Sequence, residues 1–312
     1  MLFSTVLLLA GLLLLVFSGD FLVKGAVGIA ENLGIDPLVI GLTVVAFGTS
    51  APELFISVQS ALQGAPGIAI GNAIGSNIAN VLLVMGLPAL ISAVTARQPG
   101  LRRNLSAMLV TVLLFIYMIS DGVLSRVEGA VLFGGLCLYI WWQIHQAGRI
   151  RIGGTDYHDE IGEAPHDTGR VAAYVAAGVV GLPLAAQLTV VGASDIARAF
   201  GISEAAIGLT VIAIGTSLPE LATTMMAAIR RTSAVALGNI VGSNIFNIAC
   251  IMGVTGMIIP VPVDPRIIST DMWVMLGAMA LLAIIGYARL TVGRMMGLAM
   301  LAAYAIYIWT VF

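Results

Sequence analysis

Residues 46–53 read AFGTSAPE and residues 213–220 read AIGTSLPE: one glycine, hydroxyl, proline and glutamate cluster written twice inside apolar sequence. The register between the copies is constant. Thr216 minus Thr49, Glu220 minus Glu53, Gly238 minus Gly71, Ser243 minus Ser76 and Asn247 minus Asn80 are each 167. Upstream, Gly25, Ile29, Gly34, Ile35 and Gly41 align at the same offset with Gly192, Ile196, Gly201, Ile202 and Gly208. No gap is needed, so the chain is a duplicated unit.

The unit is built for a membrane. Of 312 residues, 59% are hydrophobic and 10% charged, with a mean hydropathy of +1.04; a soluble domain carries roughly a quarter charged residues. The apolar runs approach the roughly 20 residues that a helix needs to cross the hydrocarbon core. An all-α integral membrane protein is expected, with about ten transmembrane helices near 2–30, 37–62, 68–91, 104–120, 124–145, 171–199, 203–229, 234–259, 272–288 and 293–311. The first run lacks a basic n-region and a small-residue cleavage site, so it reads as a retained helix. Cys137 and Cys250 lie in apolar segments without paired spacing and read as small core residues.

One long polar interval, between the fifth and sixth helices, divides the chain into a first repeat over 1–150, a cytoplasmic loop over 151–169 and a second repeat over 170–312. Five helices is an odd number, so the second copy enters the membrane from the opposite side and the repeats are inverted. Arg97, Arg102, Arg103, Arg149, Arg151, Arg170, Arg230, Arg231, Arg289 and Arg294 then fall on one side, and only Arg126, Arg198 and Arg266 on the other. That bias places the first side in the cytoplasm and both termini outside, in a multi-pass protein of the cell membrane.

Within each motif the proline, Pro52 or Pro219, removes a hydrogen bond to the glycine carbonyl four residues back. The second and seventh helices are therefore expected to be broken in mid-membrane, where irregular backbone survives only against protein or a water-filled cavity and freed carbonyls bind cations. Helical spacing puts the Ala46 carbonyl, Thr49 hydroxyl and Glu53 carboxylate on one face, with Ser50 beside them; Ala213, Thr216, Ser217 and Glu220 repeat the set. The following helices carry GNAIGSNIANVLLVMG at 71–86 and GNIVGSNIFNIACIMG at 238–253. Ser76 and Asn80 are four apart and share a face, as do Ser243 and Asn247, while the Gly71/Gly75 and Gly238/Gly242 pairs permit close helix approach. One such glycine pair would only pack helices. Two copies accompanied by intramembrane glutamates indicate a site.

An ionised glutamate near the bilayer centre costs at least roughly 2.5–3.5 kcal/mol, and neither Glu53 nor Glu220 has a basic neighbour in sequence. Inverted symmetry brings the two carboxylates together at the midplane, where a cation offsets the cost. Every donor in the set is oxygen, which selects hard cations such as Ca2+ or Na+ over zinc or copper, and the flexible mixture suits Ca2+ better than Mg2+.

GTSxPE followed by GNxxGSNxxN, twice, in ten helices of two inverted halves, resembles the α-repeats of the cation/Ca2+ exchanger superfamily, and within it the prokaryotic Na+/Ca2+ exchanger branch. The resemblance covers nearly the whole chain. It implies one Ca2+ site and several Na+ sites formed by Thr49, Ser50, Glu53, Ser76, Asn80, Thr216, Ser217, Glu220, Ser243 and Asn247 with the carbonyls of Ala46 and Ala213, and it implies that the first and sixth helices slide across the remaining bundle. Some microbial relatives and the K+-dependent branch carry aspartate where this chain has Asn247, which argues against K+ dependence here. Two site carboxylates would be neutralised by one Ca2+ and exceeded by three Na+, so the exchange implied by the resemblance moves net charge. Buried carboxylates without cations are costly, so the cation-free carrier is expected to cross slowly.

The expected function is a secondary active Na+/Ca2+ antiporter, with Ca2+ and Na+ as transported substrates, membrane lipid around it, no cofactor, no nucleic acid and a monomeric state. An H+/Ca2+ antiporter stays open, because a buried glutamate can take a proton; a cation channel fits inverted broken helices less well. An enzyme is not expected, since there is no HExxH pair for an intramembrane protease. Asp20 and Lys24 are four apart and pair with each other or take part in gating; Asp195 and Arg198 read as interfacial groups. The acidic central loop, from His158 to Asp167, reads as solvated, and Tyr139, Trp141, Trp142, Tyr304, Tyr307 and Trp309 as interfacial belts.

Overall fold

A computed structural model of the chain describes residues 2–147, 167–200 and 213–311. Ten helical segments follow one another among them: α1 (Leu2–Leu33), α2 (Pro37–Leu62), α3 (Pro66–Ile91), α4 (Leu101–Asp121), α5 (Arg126–Ala147), α6 (Thr168–Ala199), α7 (Ala213–Thr216 and Leu218–Ile229), α8 (Ser233–Ile258), α9 (Ile267–Tyr287) and α10 (Arg294–Val311). Eight of the ten are long and apolar enough to span a membrane; the described part of α7 and α10 are shorter. The start of the seventh predicted helix and most of the central polar loop, including the acidic stretch up to His166, lie outside the described residues.

Local chemistry sets the boundaries. α1 stops where Gly34 takes φ +64, which lets Ile35 N–H reach back to the Ala30 carbonyl at 2.9 Å. Two residues on, Asp36 caps α2, its carboxylate accepting from Leu38 N–H at 2.8 Å, and Pro37 opens the helix. Burial raises the Asp36 pKa, and the hydrogen bond from Leu38 opposes that rise.

The two halves are joined by exchange. β1 (Val94–Thr95) pairs antiparallel with β4 (Thr291–Val292), and β2 (Val123–Leu124) with β3 (Val261–Pro262). β1 and β3 are equivalent at offset 167, and β2 and β4 at offset 168, so each ribbon takes one strand from each half. Helix packing follows the same rule. A Cβ on Gly129 of α5 would lie 2.7 Å from the Gly253 carbonyl of α8, and one on Gly297 of α10 would lie 2.6 Å from the Gly86 carbonyl of α3. Each half therefore lends its last helix to the other, which is the signature of a pseudo-twofold axis in the membrane plane.

α8 and α3 form the centre. The most apolar window of α8 is 100% buried and that of α3 72%, against 33% for both α1 and α6. α1 and α6 instead pack on each other along small residues seven apart, Gly11, Ser18 and Gly25 on one and Gly178, Ala185 and Gly192 on the other. A Cβ on Gly178 would sit 2.5 Å from the Leu22 Cβ, and one on Gly192 would sit 2.6 Å from the Leu8 amide nitrogen, so the backbones approach as only glycine allows.

Asp20 pairs with Lys24 at 2.9 Å as the spacing predicts, and also with Arg230 beyond the end of α7. The equivalent positions in the opposite half are Gln187, Val191 and Gln63, so this charged fastening of α1 to α7 has no counterpart across the pseudo-twofold. Asp195 and Arg198 pair at 2.9 Å on an exposed face.

Helix interruption differs between the halves and corrects one expectation. The first motif does not open at its proline: Ala46–Leu62 stays α-helical through Pro52, and the irregularity is a π turn at Gly41–Val45 just upstream. One lost hydrogen bond hinges a helix without ending it when neighbours hold both sides. In the second half Ser217, with φ −90 and ψ 4, leaves the helix and separates Ala213–Thr216 from Leu218–Ile229.

Candidate cation-binding site

α2, α3, α7 and α8 bring their polar motif residues to the middle of the bundle. Ala46, Thr49, Ser50, Glu53, Ser76, Asn80, Ser217, Glu220, Ser243 and Asn247 are all buried, and Thr216 is half-buried. Ala213 opens the described part of α7. Contacts cross between halves. Ser50 Oγ donates to Glu220 Oε1 at 3.1 Å, and Thr49 Oγ1 lies 3.4 Å from Ser243 Oγ. Glu53 and Glu220 stand within Coulombic reach of each other.

The asparagines stand at symmetric defects. α3 widens into a π turn at Asn80–Val84 and α8 at Asn247–Met252, so in each half the wide turn begins on the motif asparagine. A π turn inserts one residue into the α ladder and re-aims the side chains beside it, which is why such turns gather at functional sites.

Eight polar atoms in this group are buried with no hydrogen-bond partner among the described residues: both carboxylate oxygens of Glu53, Oε2 of Glu220, Oγ of Ser217, and both amide atoms of Asn80 and of Asn247. An unsatisfied buried polar group costs roughly 1–3 kcal/mol, more when charged. The acceptors among the eight are carboxylate, amide and hydroxyl oxygens, the ligands of hard cations.

A second ring of residues, outside the predicted set, holds the first. Asn239 is fully buried; its Nδ2 donates to Thr224 Oγ1 at 3.0 Å and to the Glu220 carbonyl at 3.3 Å, while its Oδ1 accepts from Thr49 Oγ1 at 3.2 Å. It joins α8, α7 and the α2 of the other half. In the first half Asn72 Nδ2 donates to Ser57 Oγ at 3.1 Å, and 72 and 57 are the positions 167 before 239 and 224. The repeat offset was the signal that could have found both pairs.

The whole chain matches known proteins. The family model described as sodium/calcium exchanger protein matches residues 3–145 and 170–312. The chain belongs to that family. Among its relatives, the inner membrane protein YrbG of Escherichia coli is 40% identical over 93% of this chain and 90% of its own length. The sodium/calcium exchanger MaX1 of Methanosarcina acetivorans is 34% identical over 82% and 83%. The sodium-calcium exchanger NCX_Mj, in crystals soaked with zero Na+ and Ca2+, superposes with a TM-score of 0.87 at 33% identity, covering 100% of this chain and 99% of that one. The family is one of membrane transporters, and MaX1 and NCX_Mj each match more than four fifths of this chain. By contrast, the sodium/potassium/calcium exchanger Nckx30C of Drosophila melanogaster matches 40% of this chain.

Proposed function

We propose that the protein is a secondary active antiporter that exchanges Na+ for Ca2+ at the paired site by alternating access. The observation that carries this reading is the group of eight buried polar atoms, drawn from both halves and including the carboxylates of Glu53 and Glu220, that have no partner among the described residues. The names of MaX1 and NCX_Mj support sodium as the coupling ion. Cargo is bound by Thr49, Ser50, Glu53, Ser76, Asn80 and their counterparts Thr216, Ser217, Glu220, Ser243 and Asn247, with backbone carbonyls at Ala46 and Ala213. With two carboxylates in the site, binding one Ca2+ neutralises it and three Na+ leave it positive, so exchange in that ratio is electrogenic. α1 and α6, packed on each other along their glycine seam, are the body that moves across the other helices. The arginine asymmetry supports a cell-membrane protein with both ends of the chain outside.

Radiolabelled Ca2+ uptake into proteoliposomes tests the coupling ion. An outward Na+ gradient is expected to drive uptake and a pH gradient alone is not. Uptake on the pH gradient only would replace this reading with an H+/Ca2+ antiporter, and single-channel currents in a planar bilayer would replace it with a channel.

The same assay tests Asn239. Its replacement by leucine strips one partner each from Thr49, Thr224 and the Glu220 carbonyl. At roughly 1–3 kcal/mol for a buried group left bare, and 1.4 kcal/mol per decade, the expected cost is about tenfold or more in apparent Ca2+ affinity. Unchanged affinity in Asn239→Leu would show that Thr49 needs no such support.

A further inference from the structure

α4 and α5 leave between them a groove of about 220 Å³ backed by α8. Ala107, Thr111 and Leu114 line it from α4, Gly135 and Tyr139 from α5, and Ile245 from α8. Val110, at its lip, is 64% exposed, so the groove opens toward the bilayer. Along α4 the lining positions 107, 111 and 114 form one helical stripe, and Arg103 is the preceding member of it. Along α5, positions 135, 139 and 142 form the facing stripe, which ends in Trp142. The Arg103 guanidinium carbon stands 4.3 Å from the Trp142 ring centroid, so this pair closes the arginine-rich end of the groove.

That end carries positive charge, on Arg97, Arg102 and Arg103, that no carboxylate among the described residues pairs with. Arg102 donates to the Tyr287 carbonyl at 2.7 Å and Arg97 to the Arg289 carbonyl at 3.4 Å, whereas Arg103 Nε is buried with no partner. Arg102 and Arg103 also occupy the first turn of α4, where the helix dipole is already positive, behind Gly100, which has no side chain to cap it. The equivalents of Arg103 and Trp142 in the other half are Thr270 and Thr310, and those of Gly134 and Gly135 are Ala302 and Ala303. The charged end and the room below it therefore belong to one half only.

We propose that this groove binds an anionic phospholipid, with one acyl chain along α4 and α5 and the headgroup phosphate on Arg103 beside the Trp142 ring. From Ala107 to Leu114 the stripe is about 10 Å long at 1.5 Å per residue, which takes the upper part of an acyl chain. Ile245 and Ala249, which back the groove, flank Asn247 on α8, so an occupant braces the helix that carries Ser243 and Asn247. A neutral lipid would use the groove without the arginine, and free phosphate the arginine without the groove.

The test is thermal unfolding of the purified full chain in neutral detergent, titrated with phosphatidylglycerol, phosphatidylcholine or inorganic phosphate. This readout does not depend on the exchange reading. Phosphatidylglycerol is expected to raise the midpoint by about 5 °C near saturation and the other two by much less. Arg103→Gln and Gly135→Leu should each remove the difference between the two lipids, and Trp142→Leu, a milder change at the same end, should reduce it. Equal shifts from both lipids, a full shift from phosphate alone, or a preference that survives both Arg103→Gln and Gly135→Leu would each overturn the proposal.

Discussion

Glu53→Gln and Glu220→Gln are each expected to abolish Na+-driven Ca2+ uptake in proteoliposomes while leaving the protein folded. Both side chains are buried at the junction of the two halves, and three of their four carboxylate oxygens have no partner among the described residues. Glutamine keeps the shape and one oxygen but removes a full charge from a site that must neutralise a divalent ion. A charge-assisted contact in a buried site is worth roughly 3 kcal/mol, or about two decades in affinity, and coupling to Na+ is lost with it. The folded state should not suffer, because relieving an unpaired buried charge removes a cost. Uptake at near wild-type rate in either variant would move the cation site away from the paired carboxylates.

Gly178→Val should be the most damaging change far from that site. Its Cβ would fall 2.5 Å from the Leu22 Cβ and 2.8 Å from the Leu22 Cα, and backbone cannot yield as a side-chain tip can. α1 and α6 would have to part along their whole seam. Overpacking of this kind costs typically 1–3 kcal/mol, and about 2–4 °C of melting temperature is expected per kcal/mol. Exchange should fall further than stability, since the proposed moving body is that helix pair. Gly277→Ala, at a helical position with nothing within 4 Å of the added carbon, is the control and should leave both unchanged. A Gly178→Val protein as stable and active as its parent would show that the seam is loose.

Much of this molecule is legible in the duplicated motif. The offset of 167, the ten apolar runs and the odd helix count together require inverted halves, and residues such as Thr49, Glu53, Ser243 and Asn247 are buried together at the centre. The π turns at Asn80 and Asn247 were not legible, because one inserted residue in a helical ladder leaves no trace in an apolar period. Neither was the difference between Pro52, which stays within its helix, and Ser217, where the second helix opens; the two motifs are nearly identical, and their neighbours decide. Arg230 as a partner of Asp20 was hidden because the contact spans 210 residues, whereas Lys24 was visible one turn away. Tyr139 and Tyr307 read as interfacial belt residues, yet their hydroxyls hydrogen-bond Asn104 at 3.0 Å and Asp271 at 3.3 Å, pinning α5 to α4 and α10 to α9.

The crossed ribbons also set a timetable for biosynthesis. β1 is made early, but its partner strand is not translated until Thr291 and Val292, and the slot on α3 that receives Gly297 stays open to lipid until α10 enters the bilayer. β2 likewise waits for Val261 and Pro262. The first five helices can insert as they emerge from the ribosome, yet they cannot finish folding alone. A ribosome stalled before Val261 leaves two edges unpaired and one helix slot vacant, an unfinished assembly of the kind that membrane quality control can distinguish from the completed chain.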